Sequence, residues 1–467
     1  MSSTNNEVGA HADAIIIGGG LSGMAAAYTL AQEGLRVTVL EAKDRVGGRT
    51  HSNADTPGGP LDLGGMLIGT THHRSRLLGE TLGLTWVPAR PSGSMTYRAD
   101  GEVVRAPDGG YPDSVGGSTT LDAELTRVNG LFDELAETVG SQGPWDSPEH
   151  VALDAITVQS WLDENVTDAV ARRIVRTDLN IIVGADTTEM SMLFWAQYVA
   201  KCEGMRALQV TANDALWLGG SQQISQRIAD FDGITVITDA PVYSVAYTDD
   251  TVVVESARGQ FTASAATIAV PPSAANAIQF SPELPLARRQ LQARAPMGRE
   301  SKVQVRYSRP FWRDAGLSGE VFDLDLGYLS LDVTRPGDEW ATIVAFIGGK
   351  DYDAWFALGP DARKQAVLDS LIAVLGSEAA NVLGYHETDW PSVPYTMGAP
   401  VTVMPPGLLS RIGNALNAPV GPLRFAGTEA ASMWTGYMEG AVRAGEAAAH
   451  DILASLKALK ALTAGAA

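Results

Sequence analysis

The hydrophobic period of this chain changes twice within its first ordered stretch. Asp13 to Ile17 is a short β-rich apolar run, and the spacing predicts a strand. A glycine-rich segment follows, Gly18-Gly19-Gly20-Leu21-Ser22-Gly23, and then a helical stretch from Met24 to about Glu33 that Gly34 would end. Val37 to Leu40 returns to a strand pattern and closes at Glu41. Farther along, Trp145 to Arg176 carries helical periodicity. Thr235 to Ile237, Val252 to Glu255, Lys302 to Tyr307 and Trp340 to Phe346 read as strands. The tail from Ile452 to Ala467 reads as an amphipathic helix, too short and too charged to anchor in a bilayer.

Strand, glycine turn, helix, second strand and terminal acid together form the context of a dinucleotide fingerprint. Gly18 permits the tight turn, Gly20 lets the backbone approach a pyrophosphate, and Gly23 lets helix and strand pack closely. The helix start, with Leu21 and Ser22, offers free N–H groups and a partial positive charge to phosphate. Glu41, followed by Ala42, sits where a carboxylate accepts hydrogen bonds from ribose hydroxyls. This fingerprint does not separate FAD from NAD. The next residues do so better. Asp44-Arg45-Val46-Gly47-Gly48-Arg49-Thr50 places Arg49, a planar cation suited to phosphate, directly after the ribose acid. Leu61-Asp62-Leu63-Gly64-Gly65-Met66, with Leu67 after it, gives a second close backbone approach suited to a flavin ring or its ribityl chain.

Composition narrows the partners. A length of 467 residues exceeds one ordinary core and implies two domains. The net charge of -20 repels nucleic acid and anionic lipid, so neither is an expected partner. Cys202 is the single cysteine, so no intrachain disulfide forms, which fits a reducing cytosol. The polar start, Met1 to Ala12, argues against a secretory signal, and no apolar stretch is long enough to span a bilayer. None of the seven histidines, His11 among them, makes a metal-type pair with a nearby acid, so no metal site is expected. A soluble, cytoplasmic protein, monomer or homodimer, is the expectation.

The run Gly18 to Thr50 resembles the flavin-containing amine oxidase family, which includes monoamine oxidases, polyamine oxidases and L-amino acid oxidases. The resemblance returns at the far end, in Arg424-Phe425-Ala426-Gly427-Thr428-Glu429 and Trp434-Thr435-Gly436-Tyr437-Met438-Glu439-Gly440-Ala441. Pro296-Met297-Gly298 through Lys302 and on to Trp312, Thr388-Asp389-Trp390, and Met404 to Gly407 also have family counterparts. Within the family, Pro57 to Pro60, Ala293 to Arg299 and His386 to Trp390 look closest to the bacterial cyclohexylamine oxidase branch. The implied fold is α/β: a Rossmann-type FAD-binding domain interleaved with an α+β substrate domain whose mixed sheet is flanked by helices. The FAD domain would take residues 10–90, 220–289 and 394–455, and the substrate domain 91–219 and 290–393. Residues 1–9 and 456–467 would be terminal extensions.

The resemblance also assigns roles. Lys302 matches the lysine that holds a water near the flavin and supports reoxidation by O2. Tyr437 matches one wall of the family's aromatic cage. The facing position is Pro400, so the cage is half-built and leaves room for a bulky cycloalkyl or branched amine. Ala399 stands where some relatives carry a cysteine thioether to the flavin, which implies non-covalent FAD. Val242 lies where the family packs against adenine, and Trp390, Gly427, Glu429, Gly436 and Met438 complete the implied FAD contacts. The pocket walls would be Ile181, Leu208, Gln209, Leu216, Leu329 and Phe346, together with Pro400 and Tyr437. No carboxylate or arginine stands among these walls, which disfavours an amino acid substrate. The implied reaction is oxidation of a small hydrophobic primary amine to an imine, with O2 reduced to H2O2. A diamine or amino acid oxidase, a carbon–carbon desaturase and a non-enzymatic flavin scaffold remain the alternatives.

Overall fold

The apolar run that begins the chain lies at the centre of a five-stranded parallel sheet. In the computed structural model, which describes residues 12–89, 91–107 and 110–465 and side chains as far as 458, that strand is Ala14–Ile17. The expected extension 1–9, residues 10 and 11, and the last two residues lie outside the described residues.

The strand order across the sheet is Ile234–Ile237, Val37–Leu40, Ala14–Ile17, Ala265–Ile268, Leu423–Phe425. The three middle strands are buried at every position, so they read as continuous apolar runs, as a sheet covered on both faces must. Helix Leu21–Gln32 crosses one face and packs against the C-terminal helix Met438–Gly465. Their approach is close: a Cβ on Gly445 would meet the Ser22 carbonyl oxygen at 2.2 Å. The Gly427 N–H donates to Ser22 Oγ at 2.9 Å, so the two ends of the chain meet at the nucleotide turn.

A seven-stranded mixed sheet forms the second layer system. Its order is Gly384–Asp389, Glu300–Tyr307, Ala341–Gly348, Tyr328–Asp332, Leu317–Asp323, Ser94–Ala99, Glu102–Ala106. Glu300–Tyr307 is flanked on both sides and buried throughout, which puts Lys302 in the sheet interior rather than at an edge. Helices cover this sheet. Among them, Ala169–Val183 is capped by the Asp168 carboxylate at its start and ended by Gly184 in the left-handed region, φ 72°. The stretch expected to be helical from Trp145 to Arg176 is divided among Pro148–Asp154, Val158–Asn165 and the first half of Ala169–Val183. In one of the smaller sheets Ala215–Trp217 lies between Leu67–Ile68 and Trp86–Pro88, antiparallel to both. The fold is the α/β arrangement expected, with a Rossmann-type parallel sheet beside a mixed sheet and its helices.

Candidate active site

One cavity of about 700 Å³ runs from the parallel sheet to the mixed sheet. Its first end is built on the glycine turn. Gly18 has φ +102°, and a Cβ on Gly23 would come within 2.0 Å of the Gly18 carbonyl oxygen, so the turn closes only on glycine. The first helical hydrogen bond is Met24 N–H to Gly20 O, which leaves the N–H groups of Leu21, Ser22 and Gly23 without an acceptor inside the helix. Such a helix start suits a pyrophosphate. Glu41 closes the second strand. Its carboxylate accepts from Gly19 N–H at 2.7 Å and Lys43 N–H at 2.9 Å, while burial pushes its pKa up against those bonds. Ala42, Pro241 and Val242 line the cavity beyond it. Lys43, Thr396 and Met397 form the outer rim, with Lys43 Nζ donating to Thr396 Oγ1 at 2.5 Å. A mononucleotide half of FAD fits this cradle.

The second end gathers residues from distant parts of the chain. Gly64, Gly65, Met66 and Leu67 line it, and a Cβ on Gly64 would collide with Arg49 O at 2.1 Å and Trp390 at 2.8 Å. Trp390 is buried, and its Nε1–H donates to Leu63 O at 3.3 Å. Lys302 Nζ donates to Asp62 O at 2.5 Å, Gly64 O at 2.7 Å and Met66 Sδ at 2.9 Å. Burial pushes the Lys302 pKa down to about 7, with the Arg335 charge acting the same way and the Asp62 and Glu300 carboxylates opposing. Its neighbour Glu300 also lines the cavity, and burial pushes that carboxyl up to about 8 against the Lys302 charge.

Tyr437 stands across from this group, at the start of the C-terminal helix. Its ring meets His72 edge-on at 5.5 Å and Trp434 at 5.2 Å. Ala399, Pro400, Gly427, Gly436 and Met438 line the wall around it, and Tyr198 lies under Gly436, where a Cβ would meet its hydroxyl oxygen at 2.4 Å. Tyr198 was not foreseen: it sits within the buried helix Met192–Lys201, and nothing in its spacing marks it out from core aromatics.

Most expected pocket walls line the same cavity: Ile181, Leu208, Gln209, Leu329 and Phe346, with Ile182 and Leu331 besides. Two expectations need correction, on Leu216 and on the absence of a carboxylate from the walls. Leu216 does not line the cavity. It is fully buried in the strand Ala215–Trp217, in a cluster with Val344, Leu331 and Met66. Arg49 lines the cavity as expected, and its Nη1 donates to Glu429 Oε1 and to the Pro400 carbonyl, at 2.7 Å each. Glu429 and Gly23 support the lining without forming it. The walls also contain a carboxylate after all. Asp178, one turn before Ile181 and Ile182 on helix Ala169–Val183, faces the cavity and accepts from Gln209 Nε2 at 2.8 Å. Burial pushes its pKa up to about 6. Among the described residues, no group of histidine, cysteine and carboxylate side chains could hold a metal ion, and no helix is long and apolar enough to cross a membrane.

Comparison with known proteins agrees with this geometry. The family profile described as Flavin containing amine oxidoreductase matches residues 21–453. Amine oxidase [flavin-containing] B of Sus scrofa is 35% identical over 452 residues, covering 94% of this chain and 86% of that protein. The solved cyclohexylamine oxidase from Brevibacterium oxydans IH-35A superposes with a TM-score of 0.91 at 45% identity, over 96% of this chain and 99% of that one. A putrescine oxidase solved with putrescine bound gives 0.89 at 32% identity, over 95% and 99%.

Proposed function

The chain belongs to the flavin containing amine oxidoreductase family, and on that premise we propose that it oxidises a small hydrophobic primary amine, cycloalkyl or arylalkyl. The product is an imine, which water converts to a ketone or aldehyde and ammonia, while O2 becomes hydrogen peroxide. What FAD supplies when bound is an acceptor for the hydride equivalent leaving the carbon next to nitrogen, one that O2 can reoxidise.

The observation that carries the substrate class is the wall of the chamber between Lys302 and Asp178. Ile181, Ile182, Leu208, Leu329, Leu331 and Phe346 enclose the space beside Tyr437. An ammonium entering such a chamber loses hydration, which favours the uncharged amine, the form with a lone pair to drive the oxidation. The face of Tyr437 orients the nitrogen through a weak π contact. Pro400 lines the same cavity, and on this reading a proline in the facing cage position leaves space for a cyclic amine. Lys302, pinned by two carbonyls, keeps its contact to the Met66 thioether as the one a water would replace. Its cationic form would favour electron transfer to O2.

The same reading divides the chain into an FAD domain of residues 10–90, 220–289 and 394–455 and a substrate domain of 91–219 and 290–393. The five parallel strands all fall in the first set and the seven mixed-sheet strands in the second. With Cys202 buried and unpaired, a reducing, cytoplasmic setting suits the protein.

The test is a hydrogen peroxide assay across cyclic, aryl and linear amines, diamines and amino acids. Cyclohexylamine and arylalkylamines should be turned over. An inactive cyclohexylamine beside a fast linear diamine or L-amino acid would overturn the substrate class.

A further inference from the structure

Among the described residues, three carboxylates line the cavity: Glu41, Glu300 and Asp178. Two are accounted for. Glu41 accepts backbone N–H groups at the ribose end, and Glu300 has Lys302 beside it. Among the described residues no cation acts on Asp178: the Gln209 amide donates to it, and burial pushes its pKa up. A carboxylate in an apolar chamber without a counter-charge is costly unless something in use supplies the partner.

The surrounding network fixes Asp178 rather than neutralising it. Gln209 Oε1 accepts from the Tyr111 hydroxyl at 3.0 Å and from Asn129 Nδ2 at 3.0 Å, and Asn129 Nδ2 also donates to the Tyr111 oxygen at 2.9 Å. With its oxygen committed, the Gln209 amide must point its N–H at Asp178. The carboxylate is thereby held as an acceptor, with one oxygen engaged and the other left for the chamber. Position matters as much as charge. The C-terminal end of the helix touches the flavin-side wall, since a Cβ on Gly184 would meet Ala399 O at 2.4 Å and Gly298 Cα at 3.0 Å. Asp178 is six residues back along that helix, which is about 9 Å of axial rise. Ile181 and Ile182 fill the interval. Asp178 also acts on the Tyr437 hydroxyl, adding to the rise that burial and Cys202 cause, so the carboxylate and the aromatic wall face one chamber that Ile181 and Ile182 line.

We infer that Asp178 and Gln209 form a recognition site for a second hydrogen-bond donor, an ammonium foremost, carried at the far end of the amine substrate. This deepens the proposed function and rests on it. A 1,4-disubstituted six-membered ring directs its two substituents away from each other, so a distal donor can face Asp178 while the first nitrogen faces Tyr437. The reacting nitrogen is stripped of charge beside the apolar walls while the distal one keeps its charge opposite Asp178.

The experiment compares trans-1,4-diaminocyclohexane with cyclohexylamine in the holoenzyme, its Asp178→Asn variant and its Asp178→Ser variant. In the wild type the ratio of kcat/KM, diamine over monoamine, should exceed that in either variant by about tenfold or more. Cyclohexylamine, which carries no distal donor, is the internal reference within each variant, so the ratio and not the absolute rate is what the comparison reads. A binding readout accompanies it: calorimetric affinity for 1-methylcyclohexylamine, which has no C–H next to nitrogen to lose, against its 4-hydroxy derivative. The hydroxyl should tighten binding more in the wild type than in Asp178→Ser, whose shorter side chain takes the acceptor away from it. Equal ratios and equal affinity gains in wild type and variants would overturn the inference. If the wild type oxidises neither amine, it is the proposed function that fails instead.

Discussion

Arg49 holds Glu429 in a two-point pair, Nη1 to Oε1 at 2.7 Å and Nη2 to Oε2 at 3.1 Å, across 380 positions of sequence. Arg49 belongs to the loop after the ribose strand and Glu429 to the C-terminal motif, so the pair closes the site from both ends of the chain. Glu429 is 3% exposed. Burial works against its charge, but the charge and hydrogen bonds of Arg49 and the Thr402 N–H outweigh that and hold its pKa below the usual carboxylate range. Replacing Arg49 by Met strands a buried carboxylate, and the expected loss is about 3–5 kcal/mol of unfolding free energy. The sign with pH follows. A depressed folded pKa gives stability that is present above the unfolded value, near 4.5, and lost as pH falls through the folded one. Urea titrations should therefore show the gap between wild type and Arg49→Met full at pH 7 and narrowing below pH 4.5. A gap that stays constant across that range would show that the pair does not carry the difference.

Lys302 separates the two half-reactions. Its Nζ is fixed against the carbonyls of Asp62 and Gly64, so Lys302→Met removes a charge without removing a wall. Stopped-flow reoxidation by O2 should slow on the order of 10²-fold, while anaerobic reduction by amine changes little. With burial holding the lysine pKa near 7, wild-type reoxidation should fall as pH rises through that value, and the variant should be flat. Equal slowing of both half-reactions would remove the proposed role.

Ala399 predicts how the cofactor is held. It lines the cavity, and its methyl group cannot form a thioether. The only thiol, Cys202, is buried at the C-cap of the helix Met192–Lys201 and donates to the Thr435 carbonyl at 3.8 Å. Acid precipitation of the holoenzyme should release the yellow chromophore to the supernatant. Colour retained in the washed pellet would mean a covalent bond from some other residue.

The parts of this molecule legible in sequence are those governed by local rules. The glycine turn, its two strands and its helix follow from period and backbone freedom, and they fold at Ala14–Ile17, Leu21–Gln32 and Val37–Leu40 with ends displaced by a few residues at most. Lys302 stood out because a charge inside an apolar strand is unusual, and that strand is indeed interior. Asp178 did not stand out. An acid on an amphipathic helix ordinarily faces water, and only the placement of Gln209 and Leu329 opposite shows that this face borders a cavity. Leu216 failed for the complementary reason. In a three-residue strand buried at every position, alternation cannot say which side is cavity and which is core. The Arg49 clasp depends on a partner 380 residues away, a separation at which no local spacing rule operates.

His72 and Trp434 hold the Tyr437 ring and set the direction of its face, each packing against it at a steep angle, 62° and 84°. Burial, reinforced by the Arg443 and Arg76 charges, pushes the His72 pKa down to about 3, so the imidazole is neutral at working pH and does not compete as a cation for that face. Tyr437→Phe keeps the ring and should leave kcat/KM for a hydrophobic amine within a few-fold of wild type. Tyr437→Leu keeps bulk but removes the π face, and kcat/KM should fall by about threefold to tenfold, more when the amine nitrogen is better desolvated. The FAD content of both variants, read from the visible spectrum, should match wild type, which separates substrate orientation from loss of cofactor. If Phe and Leu prove equally impaired at full FAD occupancy, the hydroxyl rather than the ring face orients the amine.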